Sequence, residues 1–259
     1  MKTLFVTGTD TSVGKTFVSA ILIRTLRRAG LRAGAYKPVC SGAVLNRSGV
    51  PVWEDVEQLA AALTDDFSGN PANQPEEPAA ALRQRICPQR FLAPLAPNVA
   101  ARLEDRTVDD ALLRTACRAW EGSADYLLIE GAGGFLSPVS AESDVGDLAA
   151  DCASSVLIVA ANRLGVINHT RLTVEAVQAR HLSVAAVVLN DVRPPATSAS
   201  ETEEADVSAN SNADELARLL PNILLLTCAR DADRIVNHRQ TELPSAEIPA
   251  ALFGPAHFG

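Results

Sequence analysis

The 259-residue sequence lacks a long hydrophobic segment and an excess of basic residues. No run approaches the ~20 apolar residues that a membrane-spanning helix needs, so we expect no membrane partner. The net charge of −8 leaves little basic surface for a nucleic acid, and none is expected as a partner. No secretory signal precedes the first polar loop, so the chain is expected to be cytoplasmic.

Cysteine and histidine are sparse and scattered. The five cysteines are odd in number and have no metal-ligand spacing; they are Cys40, Cys87, Cys117, Cys152 and Cys228. We expect reduced thiols rather than disulfides. The four histidines form no HxxxH pair, so we do not expect them to bind a metal. No set of serine, histidine and acid suggests a protein nucleophile.

The most informative motif lies near the amino terminus, where a short apolar run precedes a glycine-bounded loop. The loop extends from Gly8 to Thr16, ends in Gly-Lys-Thr and is followed by a periodic apolar stretch. Strand, loop and helix in this order are typical of a phosphate-binding loop, because backbone N–H groups and the helix dipole attract an anion. Lys15 is expected to reach the β- and γ-phosphates, and Thr16 to bind Mg²⁺. Five residues separate Gly8 from Gly14, one more than in the common pattern.

Six short β-type runs alternate with helical stretches along the chain. Several runs are almost wholly apolar, as expected for strands buried on both faces of a parallel sheet. The predicted strands are residues 3–6, 32–36, 126–129, 156–161, 184–189 and 223–226; the predicted helices are residues 17–29, 55–63, 108–120, 169–180 and 214–220. This alternation predicts one α/β domain, residues 1–259, with a doubly wound, mainly parallel sheet flanked by helices, as in P-loop NTPases.

Two polar segments are expected to be flexible inserts in this domain. Residues 65–89 are rich in Pro, Asn, Ala and Glu and show no strand or long helix pattern. Residues 194–212 are rich in Ser, Thr and acidic residues. Neither segment carries a recognisable chemical motif.

Ligands bind doubly wound sheets at the carboxyl ends of the strands, and unusual residues of this chain lie there. Lys37 directly follows the second predicted strand, four residues before Ser41, and beside a phosphate loop a functional lysine is favoured over a solvated surface charge. Glu130 follows the third predicted strand, ahead of a glycine-rich turn, and is expected to meet a metal ion. Asp55 either reaches Mg²⁺ or stabilises the start of a helix, and spacing alone does not separate these interpretations.

Two further segments are candidates for ligand contacts. Residues 165–168 precede a predicted helix, whose free N–H groups suit a carboxylate, although an ordinary loop capped by Asn168 is an equal alternative. Asn190 directly follows the fifth predicted strand, where its amide suits a purine edge. The alternative is a turn residue before two prolines.

Together these segments resemble the dethiobiotin synthetase family, ATP-dependent carboxylases that close the ureido ring in biotin synthesis. The matching segments follow the family's order: residues 8–16, 36–42, Asp55, 130–134, 164–169 and 190–195. The five-residue gap in the phosphate loop is a feature of this family. The chain departs from the family at Ser12, where an acidic residue is expected, and at residues 226–229, which lack a Gly-x-Ile-Pro pattern.

The resemblance implies ATP and Mg²⁺ as cofactors and assigns roles to the matching residues. The implied ATP-binding residues are Thr11, Ser12, Val13, Gly14, Lys15, Thr16 and, for adenine, Asn190. The implied metal ligands are Thr16, Asp55 and Glu130. Lys37 and Lys15 are the implied catalytic residues, with Lys37 and Ser41 on a substrate carbamate and Gly133 near the diamine. A distal substrate carboxylate is implied to bind Gly165, Val166, Ile167 and Asn168 across a homodimer interface.

The implied reaction joins 7,8-diaminononanoate and CO2 at the expense of ATP, giving dethiobiotin, ADP and phosphate through a carbamate and a carbamic–phosphoric mixed anhydride. A nucleotide-switch ATPase of the partitioning type, acting through partner binding, is an alternative. Such proteins usually carry an extra lysine early in the loop, where this chain has Thr9, Asp10 and Thr11. A related ligase acting on another substrate and a divergent copy that only hydrolyses ATP are further alternatives.

Overall fold

A computed structural model describes residues 1–65, 77–153, 155–192, 206–239 and 247–253. The strands are β1 (Lys2–Gly8), β2 (Ala33–Tyr36), β3 (Val39–Cys40), β4 (Val44–Leu45), β5 (Pro51–Val52), β6 (Gln89–Arg90), β7 (Tyr126–Gly134), β8 (Ser155–Ala161), β9 (Ser183–Asn190), β10 (Leu224–Cys228) and β11 (Val236–Asn237). The helices are α1 (Lys15–Arg28), α2 (Glu54–Thr64), α3 (Ala79–Ile86), α4 (Pro97–Leu103), α5 (Asp110–Thr115), α6 (Val145–Cys152), α7 (Val166–Ala179), α8 (Asn212–Leu219) and α9 (Ile248–Phe253).

The central sheet has the strand order β11-β10-β9-β8-β1-β7-β2. Neighbouring strands run parallel from β2 to β10, and β11 pairs antiparallel with β10. The predicted doubly wound, mainly parallel α/β sheet is therefore confirmed. Strand β1 lies between β7 and β8, so the connections on its two sides lead in opposite directions. Ligands bind such sheets at this reversal of strand order, beyond the carboxyl end of β1.

The core lies on both faces of this sheet. Every residue of β8 is buried, and Leu4, Phe5 and Val6 of β1 have no exposed surface. Helix α1 packs Val18, Ile21 and other apolar residues against the sheet because they recur at helical spacing on one face. A rigid apolar layer therefore fixes the positions at which β1, β2 and β7 end.

The predicted helices begin and end close to their observed bounds, except in one segment. The predicted helix over residues 108–120 is α5 followed by a 3-10 helix, Ala116–Trp120. The Asp109 side chain accepts the Leu112 N–H and so begins α5 two residues later than expected. Helices α4, α6 and α9 were not predicted, and each is eight residues or shorter. Short helices carry too few periodic positions to be recognised from sequence alone.

Residues 65–89 were expected to form a flexible insert without a strand or long helix pattern. The carboxyl-terminal part of this segment contains the short helix α3. Helix α3 buries Leu82 and Ile86, and Arg83 forms an ion pair with Glu57 of α2. Residues 66–76 of this segment lie outside the described residues. Of the other expected insert, residues 194–205 also lie outside them, and Val207–Asn210 forms a 3-10 helix. No helix in the described part of the chain is long and apolar enough to span a membrane.

Candidate active site

The loop between β1 and α1 has the shape of an anion cradle. Gly14 has a φ of 88°, and a Cβ on it would lie 2.0 Å from Asn190 Nδ2, so only glycine fits there. The Lys15 ammonium folds back over the loop and donates to the Asp10 carbonyl at 3.1 Å. Lys15 and Thr16 begin α1, where unpaired N–H groups and the helix dipole favour a phosphate.

Glu130 lies directly below this loop because β7 pairs with β1, which places Glu130 opposite Val6. It does not follow the strand, as expected from sequence, but lies within β7, which continues to Gly134 beside Gly8. Its carboxylate is only 1% exposed and accepts hydrogen bonds at 2.8 Å from the hydroxyls of Thr16 and Ser19.

Ser19 was not predicted as a site residue, although its hydroxyl donates to Glu130. The residue is fully buried and holds Glu130 Oε2, while Thr16 holds Oε1. Its only sequence signal is a position three residues after Thr16, which places both hydroxyls on one face of α1.

Lys37 joins the two carboxylates expected at the metal site. Its ammonium lies 2.7 Å from Glu130 Oε1 and 2.7 Å from Asp55 Oδ2. Burial by itself lowers the pKa of Lys37, but the two carboxylates outweigh that effect and raise the pKa above its ordinary value. Burial likewise opposes ionisation of Asp55, yet Lys37 holds the Asp55 pKa below its usual range. Lys37 is therefore a permanent cation between two anions.

The pKa of Lys15 is shifted in the opposite direction to that of Lys37. Burial, followed by repulsion from Lys37, lowers the pKa of Lys15 from 10.5 to about 8. The unfolded chain binds more protons than the folded one between these two values, so the ligand-free protein gains stability as the pH rises through that window. Near pH 8, about half of the ligand-free molecules therefore carry a neutral Lys15.

ATP binding near pH 8 is expected to take up a proton, because the triphosphate raises the pKa of Lys15 again. Calorimetric titration in two buffers of different ionisation enthalpy measures this uptake. The Lys15→Arg variant is the matched control, since a guanidinium stays charged at this pH. Equal proton uptake in the wild type and in Lys15→Arg would assign the effect to another group.

A cavity of about 660 Å³ opens above the loop. The predicted site residues in its wall are Thr11, Ser12, Gly14, Lys15, Thr16, Lys37, Ser41, Asp55 and Gly133. Two predicted site residues are buried and do not line the cavity: Val13, which lies within the loop, and Glu130, which accepts a hydrogen bond from Thr16. The structure thus brings the phosphate loop and the residues after β2 together on one cavity.

One part of the cavity lining was not expected from sequence. Residues 94–97 line the cavity, and the Leu95 carbonyl accepts a hydrogen bond from Ser41 at 2.5 Å. Gly133, which also lines the cavity, has a φ of 80°, and a Cβ there would lie 2.6 Å from Ser137 Oγ. No charge or periodic pattern marks residues 94–97, so only the folded chain shows their position.

Asn190 is the last residue of β9 and lies under the phosphate loop rather than in the cavity wall. Its Nδ2 donates to the Val13 carbonyl at 2.9 Å. Its Oδ1 is buried and has no hydrogen-bond partner among the described residues. A buried amide oxygen without a donor is costly, so this atom is suited to a donor from a ligand.

Residues 165–168 are not part of the cavity. They form the start of α7, with Gly165 at a φ of 93°. The Leu164 N–H, next to them, donates to Asp206 at 2.8 Å. Leu164 and Leu172 are 79% and 56% exposed, so apolar side chains flank this helix end.

The expected metal ligands form an oxygen-only set. Thr16 contributes a hydroxyl that contacts both carboxylates, Asp55 and Glu130. Across the described ranges, no group of three or more His, Cys, Asp and Glu residues is arranged to hold a metal ion. A hydroxyl and two carboxylates are donors that suit Mg²⁺, which keeps several waters and phosphate oxygens as its other ligands.

Comparison with known proteins finds relatives that match most of the chain. The family model described as an AAA domain matches residues 2–229. An ATP-dependent dethiobiotin synthetase from Anaeromyxobacter dehalogenans is 45% identical over 219 residues, which cover 85% of this chain and 86% of that protein. One from Rhodopirellula baltica is 36% identical over 224 residues, which cover 83% and 78%.

Solved structures of low sequence identity are also similar. The cell division ATPase MinD of Pyrococcus furiosus has a TM-score of 0.47 and 15% identity, covering 89% of this chain and 84% of that chain. The family assignment rests on the relatives found by sequence, because they align over most of both chains. The chain belongs to the ATP-dependent dethiobiotin synthetase family and is an ATP-dependent ligase of biotin biosynthesis.

Proposed function

We propose that the protein carboxylates 7,8-diaminononanoate with CO2 and closes the ureido ring of dethiobiotin, at the expense of ATP. The observation that supports this most is Lys37, a buried ammonium in the wall of the cavity that the phosphate loop also lines. A nucleotide switch of the partitioning type usually carries its extra lysine within the phosphate loop, where this chain has Thr9, Asp10 and Thr11, and it needs no lysine after β2. A carboxylation needs one, because a carbamate anion must be held beside the triphosphate.

We propose that Mg²⁺ binds to Thr16, Asp55 and Glu130. The two carboxylates converge on Lys37 at 2.7 Å each, so the site already concentrates negative charge beside the phosphate loop. A bound Mg²⁺ ion would neutralise part of the negative charge of the phosphates. Lys37 holds Asp55 ionised and contacts both carboxylates, which keeps them in place for that purpose.

Carbamate formation requires a neutral amine, since an ammonium has no lone pair with which to attack CO2. Lys15 and Lys37 are both aimed at the cavity, and nearby cations lower the pKa of a substrate ammonium. The same cations stabilise the carbamate anion after it forms. Lys37 and Ser41 are the proposed carbamate contacts, and Gly133, which lines the same cavity, is the proposed neighbour of the diamine.

The carbamate oxygen then attacks the γ-phosphoryl group, and ADP leaves. The second amine attacks the carbonyl carbon of the mixed anhydride, the bond from carbon to the phosphate oxygen breaks, and the nitrogen releases its proton. Positioning and charge stabilisation supply most of the catalysis of phosphoryl transfer. Lys15 on the phosphates and Lys37 on the carbamate provide both, so no protein nucleophile is required.

We propose that Asn190 recognises adenine through its unpartnered Oδ1, which accepts from the exocyclic amino group. Guanine presents a carbonyl oxygen at the corresponding position and cannot donate there. The preference for ATP over GTP, measured as the ratio of the two Kd values, is therefore expected to be about tenfold smaller in the Asn190→Ala variant. Equal weakening of both nucleotides would show that Asn190 only supports the loop at Val13.

We propose that two copies associate through the region around α7, so that residues 165–168 of one copy bind the substrate carboxylate of the other. Leu164 and Leu172 provide exposed apolar surface beside these residues. Leu172→Glu is expected to give a monomer in sedimentation and to raise the KM for 7,8-diaminononanoate about tenfold, with ATP binding kept.

The matched control is Leu103→Glu, because Leu103 on α4 is 67% exposed and lies outside this region. A fully active wild-type monomer would contradict the shared site. The whole reaction is tested by mixing the protein with ATP, Mg²⁺, bicarbonate and 7,8-diaminononanoate. A cyclic urea detected by mass supports the proposal, and ADP release without that product would contradict it.

A further inference from the structure

Cys40 and Cys87 form a pair of buried thiols at the edge of the cavity. Cys87 donates its S–H to Cys40 Sγ at 3.4 Å. The pair is held by backbone pairing, since Cys40 ends β3, Cys87 lies just before β6, and these strands pair in parallel. Neither thiol has a role in the proposed reaction.

The two sulfur atoms differ in access. Cys40 lines the cavity, although only 3% of it is exposed, and Cys87 has no exposed surface behind it. A small molecule in the cavity therefore reaches Cys40 first. We propose that Cys40 and Cys87 are a modification site, a dithiol that a small organic disulfide entering the cavity converts to an intramolecular disulfide.

The surroundings assign different roles to the two thiols. Cys40 lies close enough to the Lys37 ammonium for their charges to interact, and it accepts the S–H of Cys87. Cys40 lines the cavity and Cys87 does not, so a small disulfide in the cavity meets the Cys40 sulfur first. Burial, and then the hydrogen bond to Cys40, raise the pKa of Cys87 well above its ordinary value. Cys40 is thus the attacking thiol and Cys87 the thiol that resolves the intermediate.

The chemistry is two thiol–disulfide exchanges. Cys40 gives its proton to solvent and its sulfur attacks one sulfur of the small disulfide, whose S–S bond breaks and whose other half leaves as a thiolate. Cys87 then loses its proton to that thiolate, and its sulfur attacks Cys40 Sγ, which releases the second half as a thiolate that takes up a proton from solvent. Two protein thiols are oxidised by two electrons, and the small disulfide is reduced to two thiols.

The new bond requires the sulfur atoms to approach from 3.4 Å to about 2.05 Å. Cys40 lies between Lys37 and Ser41 in the chain, so this movement displaces the residues that face the substrate. Insofar as the proposed function is correct, dethiobiotin formation is expected to fall on the order of tenfold on oxidation and to recover with dithiothreitol.

The test treats the full chain with hydroxyethyl disulfide, alkylates the free thiols and maps tryptic peptides by mass. The expected result is a link between residues 33–47 and 86–90, formed more slowly when ATP and Mg²⁺ are in excess. Cys87→Ser is expected to trap a mixed disulfide on Cys40, and Cys40→Ser to leave Cys87 unmodified. Cys228→Ser, which removes another buried cysteine, is the matched control and retains the link.

Absence of this link in folded wild-type protein would overturn the proposal, as would a link between Cys117 and Cys152 alone. A link that forms at the same rate with and without ATP would show that the small disulfide does not reach Cys40 through the cavity. Mapping uses wild-type protein, so it remains decisive if a serine variant does not fold. Mapping also does not depend on turnover, so failure of the proposed reaction and failure of this site are distinguished.

Discussion

Replacing Lys37 by methionine is expected to reduce dethiobiotin formation by at least about 10²-fold, whereas ATP binding is largely retained. The ammonium is the group that we place against the carbamate, and methionine keeps the side-chain length without the charge. ATP is held mainly by the loop and Lys15, which do not hydrogen-bond to Lys37. Product assay and calorimetric ATP titration measure the two effects separately.

Lys37→Met also leaves Glu130 buried without its cation, which is expected to cost about 3–5 kcal/mol of unfolding free energy. Thermal unfolding must therefore accompany the assay, at a temperature where the variant is folded. Lys2→Met makes the same chemical change on β1, away from the cavity, and serves as the matched control. Full turnover by folded Lys37→Met would refute the proposed role of the lysine.

Glu130→Gln is expected to raise the Mg²⁺ concentration for half-maximal activity by about 10–100-fold. Glutamine has the same shape, so it retains part of the hydrogen bonding to Thr16 and Ser19 but removes a negative charge from the metal site. The charge of Lys37 is then also less well balanced, which further disfavours a metal ion nearby. A Mg²⁺ titration of product formation at saturating ATP measures the change.

Glu142→Gln is the control for this variant because Glu142 is an exposed glutamate outside the cavity wall. Its Mg²⁺ titration should match that of the wild type. An unchanged titration for Glu130→Gln would mean that Glu130 only positions Lys37 and Thr16 and does not contact the metal.

Local signals were enough to predict the phosphate loop and most strands. The loop is contiguous in sequence, from Gly8 to Thr16, and the strands are short apolar runs that the buried sheet requires. Lys37 and Glu130 were each predicted as functional because they follow or end such runs. Their ion pair was not predicted, since it depends on β2 lying next to β7, which no local pattern reveals.

The remaining parts of the site depend on tertiary contacts. Residues 94–97 line the cavity beside Ser41, and two hydrogen bonds hold the segments together, from Ser41 to the Leu95 carbonyl and from the Ala43 N–H to the Leu92 carbonyl. The length of β7 beyond residue 129 follows from the pairing of Gly134 with Gly8, which overrides the low strand propensity of glycine. Cys40 and Cys87 are far apart in sequence and meet through the pairing of β3 with β6.

The central claim is that a carbamate held by Lys37 attacks the γ-phosphoryl group of ATP held by Lys15. Transfer of oxygen tests it most directly. Protein, Mg²⁺, ATP and 7,8-diaminononanoate are mixed with ¹⁸O-labelled CO2 and quenched before the label exchanges with water. Each phosphate released is expected to carry one labelled oxygen, because ring closure breaks the bond between carbon and that oxygen. Dethiobiotin formed together with unlabelled phosphate would show that the carbamate oxygen does not attack the γ-phosphoryl group.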